Sequence, residues 1–251
     1  MKTVAVIQSS YIPWKGYFDI IHDADLFIFY DDVQYTKNDW RNRNKIKGPN
    51  GTFWLTIPVP KNSVNFRIDE IQLTDSAWQK KHFRSICECY SGAKFFHHYI
   101  PLFEEIYTKQ THRSLSEMNQ YFIREISRLL GLTAAQFARS SDFDLKGQKT
   151  DRLIQLLKQA GAECYISGPS AKGYLEENKF ADAGIKIIYK NYDYPSYPQL
   201  WGKFAHEVSI IDLLFNTGEK APDFIWGRNN MTAQRQTLFP REIVNAVSAG
   251  L

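Results

Sequence analysis

The amino-acid sequence predicts an α/β protein: a parallel-sheet core that opens with a βαβ unit and carries a β-hairpin arm and a helical insertion. Thr3–Gln8 (TVAVIQ) is a compact β-branched run, the composition of a strand buried on both faces. Loop, helix and a second apolar run follow within the roughly 30 residues that a βαβ unit occupies. Past Thr150 the same alternation of helical and strand patterns resumes, which is the signature of a layered α/β sheet.

The elements follow in order. Ser9-Ser10-Tyr11-Ile12-Pro13-Trp14 is a loop, Gly16–Asp23 a short helix, and Leu26–Tyr30 (LFIFY) a strand closed by Asp31-Asp32. Ligands of such sheets bind beyond the carboxyl ends of the strands, which here are Gln8–Lys15 and Asp31–Gln34. Gly48-Pro49-Asn50-Gly51 is a turn between Arg43–Lys47 and Thr52–Val59, predicting a hairpin. Ser76 is a potential cap for a helix from Ala77 to Tyr90, ended near Gly92. Ser114–Leu130 is amphipathic, with Leu115, Met118, Phe122, Ile126 and Leu129 three or four apart. Thr150–Ala160 is helical with Thr150 as cap, Cys164–Ser167 a strand and Gly168-Pro169-Ser170 a turn. Tyr174–Phe180 reads as a helix, Ile185–Tyr189 as a strand, Tyr192–Tyr197 as a tyrosine- and proline-rich loop, and Val208–Phe215 as a helix ending at Gly218.

With 251 residues the chain is long enough to bury a sizeable core. Without a repeat or low-complexity linker, it reads as one continuous unit over 1–251 with a mostly helical insertion near 76–130. The 43% hydrophobic and 23% charged residues exclude disorder. No apolar run approaches the roughly 18 residues of a membrane span, and no charged start leads into an apolar signal. The expectation is a soluble, cytoplasmic protein. Cys87, Cys89 and Cys164 form no CxxC or zinc-spaced Cys/His pattern, which argues against a disulfide framework or a metal site. A net charge of +4 suits an anionic ligand such as a phosphate and is too weak to indicate nucleic acid. The aromatic share of 15%, with Trp14, Trp40, Trp54, Trp78, Trp201 and Trp226 spread along the chain, points to a large aromatic core or to a cleft that stacks rings.

Several clusters can carry chemistry. Ser9, Ser10 and Lys15 precede a helix N-terminus, whose amides favour a phosphate. Asp32 and Gln34 stand at the end of an apolar strand. Arg41, Arg43 and Lys45 alternate, so on a strand they share a face opposite Asn42 and Asn44, and the arginines should point toward Asp32 and Gln34. Guanidinium groups there match phosphate oxygens.

Gln8, Tyr11-Ile12-Pro13-Trp14-Lys15-Gly16-Tyr17-Phe18, Asp32-Val33-Gln34, Asn42-Arg43-Asn44, Ile46-Lys47, Trp54–Val59 and Lys81-His82 together resemble the WbqC-like family. Ser167-Gly168-Pro169, Tyr174-Leu175, Tyr197-Pro198-Gln199-Leu200 and Ser209–Asn216 resemble its later segments, so the likeness runs to about Gly218. The first loop also has a distant likeness to HxGH nucleotidyltransferases, with Trp14 and Tyr17 where those enzymes have histidines. Many relatives carry a histidine before the glutamine; Ile7 stands there in this chain, so a mechanism needing that histidine does not carry over.

The resemblance implies transfer of an acyl or aminoacyl group to an amino sugar carried by a nucleotide, in bacterial O-antigen or related glycan biosynthesis. The implied partners are a nucleotide-linked sugar and an acyl or aminoacyl donor, nucleic acid entering only as a charged tRNA. A nucleotidyl-transferring or nucleotide-hydrolysing enzyme and a non-catalytic sugar-nucleotide binder are the alternatives. No cofactor is specified. His82 and Asp32 are the candidate catalytic residues; cations at Lys81 and Arg84 would keep the imidazole neutral and able to accept a proton. Gln8, Ser9, Ser10, Tyr11, Trp14, Lys15, Gln34, Arg41, Asn42, Arg43, Asn44, Gly168, Tyr197 and Gln199 are the candidate ligand-binding residues.

Overall fold

The computed structural model describes residues 1–73 and 75–227. Among the described residues seven strands are formed: β1 (Thr3–Ile7), β2 (Leu26–Phe29), β3 (Arg43–Gly48), β4 (Gly51–Thr56), β5 (Gln136–Arg139), β6 (Cys164–Ser167) and β7 (Lys186–Tyr189). Five of them build one parallel sheet in the order β5-β2-β1-β6-β7, and β3 and β4 pair antiparallel as the hairpin. In the sheet, Val4 lies opposite Leu26 on one side and Tyr165 on the other.

Period-two alternation splits the strand residues between two apolar layers. Val4, Val6, Leu26, Ile28 and Tyr165 pack with Ile154 and Leu157 of α5 (Lys149–Gln159) and Phe180 of α6 (Glu177–Asp182). Ala5, Phe27, Phe29 and Ile166 face the opposite layer, which holds Phe18, Ile20 and Ile21 of α1 (Lys15–Asp23). Chain direction and layer change together. The β1→β2 connection runs toward one edge with α1 on one face, whereas β5→β6 and β6→β7 run toward the other edge with α5 and α6 on the opposite face. A single crossover hand requires this arrangement, and it places a topological switch point between β1 and β6.

Between β2 and β5 lie the hairpin and α2 (Ala77–Tyr90), α3 (Phe96–Glu104), a π-helical turn (Glu105–Lys109) and α4 (Leu115–Leu129). The Ser114 side chain accepts from the Glu117 amide at 3.2 Å and Glu117 returns a bond to the Ser114 amide, a reciprocal capping box. Leu115, Met118, Phe122, Ile123 and Ile126 carry α4 into the larger core. No helix among the described residues is long and apolar enough to cross a membrane.

Local capping corrects the sequence in places. Asp75, not Ser76, accepts from the Ala77 amide, at 2.8 Å. The N-cap of α5 is Gln148, with Thr150 inside the first turn. The segment after β6 forms a 3-10 turn over Pro169–Gly173, which delays α6 to Glu177. Strand β5 is unforeseen, and α3 lies inside the expected helical insertion although no periodicity marks it. β5 (QFAR) is an edge strand without a continuous apolar run, and α3 carries an internal Pro101.

One polar cluster ties these layers to the first loop. Asp31, only 3% exposed, accepts from the Ser9 amide (2.7 Å), the Gln120 side chain (3.0 Å) and the Ser116 hydroxyl. Removing that carboxylate strands buried donors on β1's exit loop and on α4. Asp31→Ala is expected to lower unfolding stability by on the order of 3 kcal/mol. Denaturant titration checks this, and a loss below about 1 kcal/mol contradicts it.

Candidate active site at the switch point

The strands' carboxyl ends open onto a cleft of about 1530 Å³. Gln8, Ser10 and Trp14 line it from the β1 exit, Tyr30, Asp32 and Gln34 from the β2 exit, and Ser167 and Gly168 from the β6 exit. Trp40, Arg41 and Asn44 close one wall; Gly147, Gln148, Lys149, Thr150 and Arg152, around the start of α5, close another. Loops leaving β1 and β6 in opposite directions create such a crevice without any side chain having to be omitted from the core. A Cβ on Gly168 would meet the Tyr192 hydroxyl at 2.7 Å, so glycine lets that ring lean over the end of β6.

Two cationic groups are fixed in the cleft by different means. Arg152 pairs with Asp32 at 2.6 Å, its guanidinium lies 5.1 Å from the Tyr30 ring centre, and the Ser140 hydroxyl donates to the same carboxylate. Arg41 donates to the Ser10 hydroxyl at 2.9 Å and to Asp39 at 3.3 Å, while its buried Nε has no partner. The exit loop itself is held by Asn44, whose side-chain amide donates to the carbonyls of Tyr11 (3.1 Å) and Ile12 (2.9 Å). That grip matters because Ile12, β-branched and fully buried, sits at φ 37, where a β-branched side chain is strained.

Of the sequence-predicted site residues, Gln8, Ser10, Trp14, Asp32, Gln34, Arg41, Asn44 and Gly168 meet in this cleft. The others go elsewhere. Arg43 opens β3 and points outward, donating to the Asn38 carbonyl and lying 4.3 Å from the Trp54 ring, which Lys45 also covers. Arg41 precedes the strand, so strand alternation does not relate it to Arg43. Asn42 turns inward to donate to the Ile57 carbonyl at 2.8 Å, and Ser9 is fully buried, engaged through its amide with Asp31.

Lys15 does not line the cleft. It is 3% exposed, donates to the Pro195 carbonyl at 3.1 Å and lies about 5 Å from the rings of Tyr194 and Tyr197. Burial lowers its pKa to about 8. Tyr197 and Gln199 join a separate buried network: Tyr197 donates to Asp212 at 2.8 Å, and Gln199 accepts from Lys47 at 2.8 Å. Asp212 belongs to α7 (Ile210–Thr217).

His82 lies under the hairpin, 4% exposed, and is absent from the cleft wall. Its Nδ1 is 2.8 Å from the Tyr11 hydroxyl, which in turn meets the Tyr107 hydroxyl, and it also bonds the Thr56 backbone. Burial pushes its pKa down to about 4, against the Thr56 bond and with a smaller push from Lys81. Arg84, expected to contribute, is paired with Glu88 at 2.8 Å on the exposed face of α2. No cysteine lines the cleft either; burial raises the Cys89 and Cys164 thiols to about 11. Asp19, His22 and Asp23 converge as metal ligands would, but the buried Lys190 ammonium lies 2.9 Å from Asp19 and 2.7 Å from Asp23, supplying the cation itself.

The start of α5 is the part of the site that sequence reasoning missed. Its signal was present: Gly147-Gln148-Lys149-Thr150 leads into an amphipathic helix, as the first loop does. Without a recognised β5, nothing marked it as a strand exit.

Fold and cleft define a doubly wound α/β protein with an open crevice at its switch point. The chain belongs to the WbqC-like protein family, whose pattern matches residues 8–224. Rv1507c of Mycobacterium tuberculosis, an uncharacterized protein, is 44% identical over 227 residues, covering 90% of this chain and 98% of that protein. No solved structure matches the chain. Ile7, at the end of β1, lines the cleft.

The environment of His82 yields a pH dependence. An unfolded chain protonates this residue near 6.5, the folded one only near 4, so the unfolded state binds the extra proton between those values. The stability contributed by the neutral ring is complete above about pH 6.5 and is lost as pH falls toward 4. Imidazole NMR should show His82 neutral at pH 5.5; titration near 6.5 contradicts the burial argument.

Proposed function

We propose that the protein transfers an acyl or aminoacyl group to the amino group of a nucleotide-linked sugar, both substrates meeting in the switch-point cleft, as a step in glycan biosynthesis. The observation that carries this reading is the cleft itself. At about 1530 Å³ it exceeds the roughly 300–1,000 Å³ of a pocket for one small ligand. It offers flat rings at Trp14, Tyr30, Trp40, Tyr174 and Tyr192, and cations at Arg41, Lys149 and Arg152. Rings stack bases and sugars, and cations hold phosphates.

No histidine or cysteine is among the described residues of the cleft wall, and this reading takes the transfer as a direct attack. The sugar nitrogen bonds the acyl carbon of an activated ester or thioester, the bond to the leaving group breaks, and the nitrogen loses a proton. Asp32, which lines the cleft and is held by Arg152 and Ser140, is the base this reading assigns to that proton. Backbone amides around Gly168, which lines the cleft, are the donors this reading assigns to the developing oxyanion.

The same lack of histidine and cysteine, with Asp32 already paired to Arg152, favours a second reading: a nucleotide-sugar binding protein without turnover. Mass spectrometry of a UDP- or dTDP-linked amino sugar incubated with protein and acyl donors separates the two, since only the first reading yields an N-acylated product. Both readings require binding through Arg41. By calorimetry, Arg41→Ala should weaken nucleotide-sugar affinity by about 1.5–3 kcal/mol, and unchanged affinity contradicts the site. Lys15→Met, by contrast, should leave affinity within about 0.5 kcal/mol of wild type, since Lys15 is turned away from the cleft.

A further inference from the structure

Helix α5 begins on the wall of the cleft, and its first turn lacks a side-chain cap. Gln148, the N-cap residue, makes no side-chain hydrogen bond to the turn, so the leading amides have no protein acceptor. Thr150, in that first turn, lines the cleft yet is only 5% exposed. Its hydroxyl has no hydrogen-bond partner among the described residues and is not sealed in the core, so it is open to the cleft. Lys149 beside it lines the cleft with an ammonium that pairs with no carboxylate among the described residues. The carboxylates nearby are otherwise engaged: Asp32 by Arg152 at 2.6 Å, and Asp151 and Glu176 by Lys179 at 2.8 and 3.3 Å. Gly147 at φ 82 and Lys149 at φ 51 bend the chain into the helix.

We infer that this turn, Gly147–Thr150, seats a phosphate group of the nucleotide-linked ligand. Helix-start amides, an unpartnered hydroxyl and an ammonium without a paired carboxylate together present donors and positive charge to this wall of the cleft, with no acceptor of the protein to satisfy them. A tetrahedral oxyanion satisfies all three. The sequence assigned this role to Lys15 and the start of α1; with Lys15 buried among tyrosines, the start of α5 takes it. The inference rests on the proposed binding role of the cleft and adds where its ligand's phosphates lie.

Calorimetry with pyrophosphate, UDP, dTDP, GDP and the matching nucleosides tests it on the full chain. Diphosphate-bearing probes should bind wild type, and Thr150→Val and Lys149→Ala should each weaken them about tenfold or more, with nucleoside affinity and Tm unchanged. Binding of pyrophosphate alone identifies free phosphate chemistry as sufficient; binding only of the nucleoside diphosphates identifies the phosphates of a nucleotide. Thr150→Val that folds and binds diphosphates like wild type overturns the phosphate seat, and leaves the cleft standing if Arg41→Ala still weakens nucleotide-sugar binding. NMR of the wild-type protein decides even if the variants fail to fold: the Thr150 and Asp151 amides must shift on adding the bound diphosphate, and unmoved amides overturn the proposal.

Discussion

At the end of β2 a carboxylate that is 3% exposed accepts hydrogen bonds from the chain leaving β1 and from two side chains of α4. A charge so buried is tolerated only where donors surround it. Asp31 therefore fixes the separation of three elements at once: the β1 exit, the β2 exit and the helix behind them. Its neighbour Asp32 points the other way, into the cleft, toward Arg152. Two consecutive aspartates just past the end of β2 thus divide the labour, one closing the core and one lining the cleft.

The rest of the β1 exit follows from that anchor. With Ser9 held, Tyr11 is carried into the core under His82 and Tyr107. Ile12 turns through a left-handed conformation gripped by Asn44, and Trp14 lies against Gly16, edge-on to Tyr192 at 4.9 Å. Asn44 belongs to the hairpin, so the hairpin arm is what holds the strained loop in shape. Conserving that geometry leaves Ser10 and Gln8 facing the cleft and presents Arg41 through Ser10.

The fold was legible wherever apolar patterning was strong. β1, β2, β6, α2 and α4 come directly from runs or periodicity in the sequence, because burial on one or both faces dictates those residues. β5 escaped because an edge strand of four residues needs few apolar side chains. Half of the cleft was legible by the same rule that ligands lie beyond strand ends, applied to β1 and β2. The α5 start, after the unseen β5, was not. The errors in the site share one cause: linear sequence does not say which way a polar side chain turns. Lys15, His82, Tyr197 and Gln199 look available in sequence, yet Lys15, His82 and Gln199 find partners far along the chain and Tyr197 finds the buried Asp212 of α7. Arg43 is drawn outward by an aromatic ring on the neighbouring strand.

The central claim is that the crevice between the β1 and β6 exits, framed by Asp31's bracket, is where this protein meets its ligand. A crystal structure of the protein with a UDP- or dTDP-linked amino sugar bound at saturation tests it most directly. The account predicts the ligand between Gln8–Trp14 and Ser167–Gly168, its rings against the cleft aromatics and its phosphates beside Arg41 and the start of α5. A ligand seated instead on the outer face of the hairpin, over the exposed Phe53 and Trp54, would contradict it.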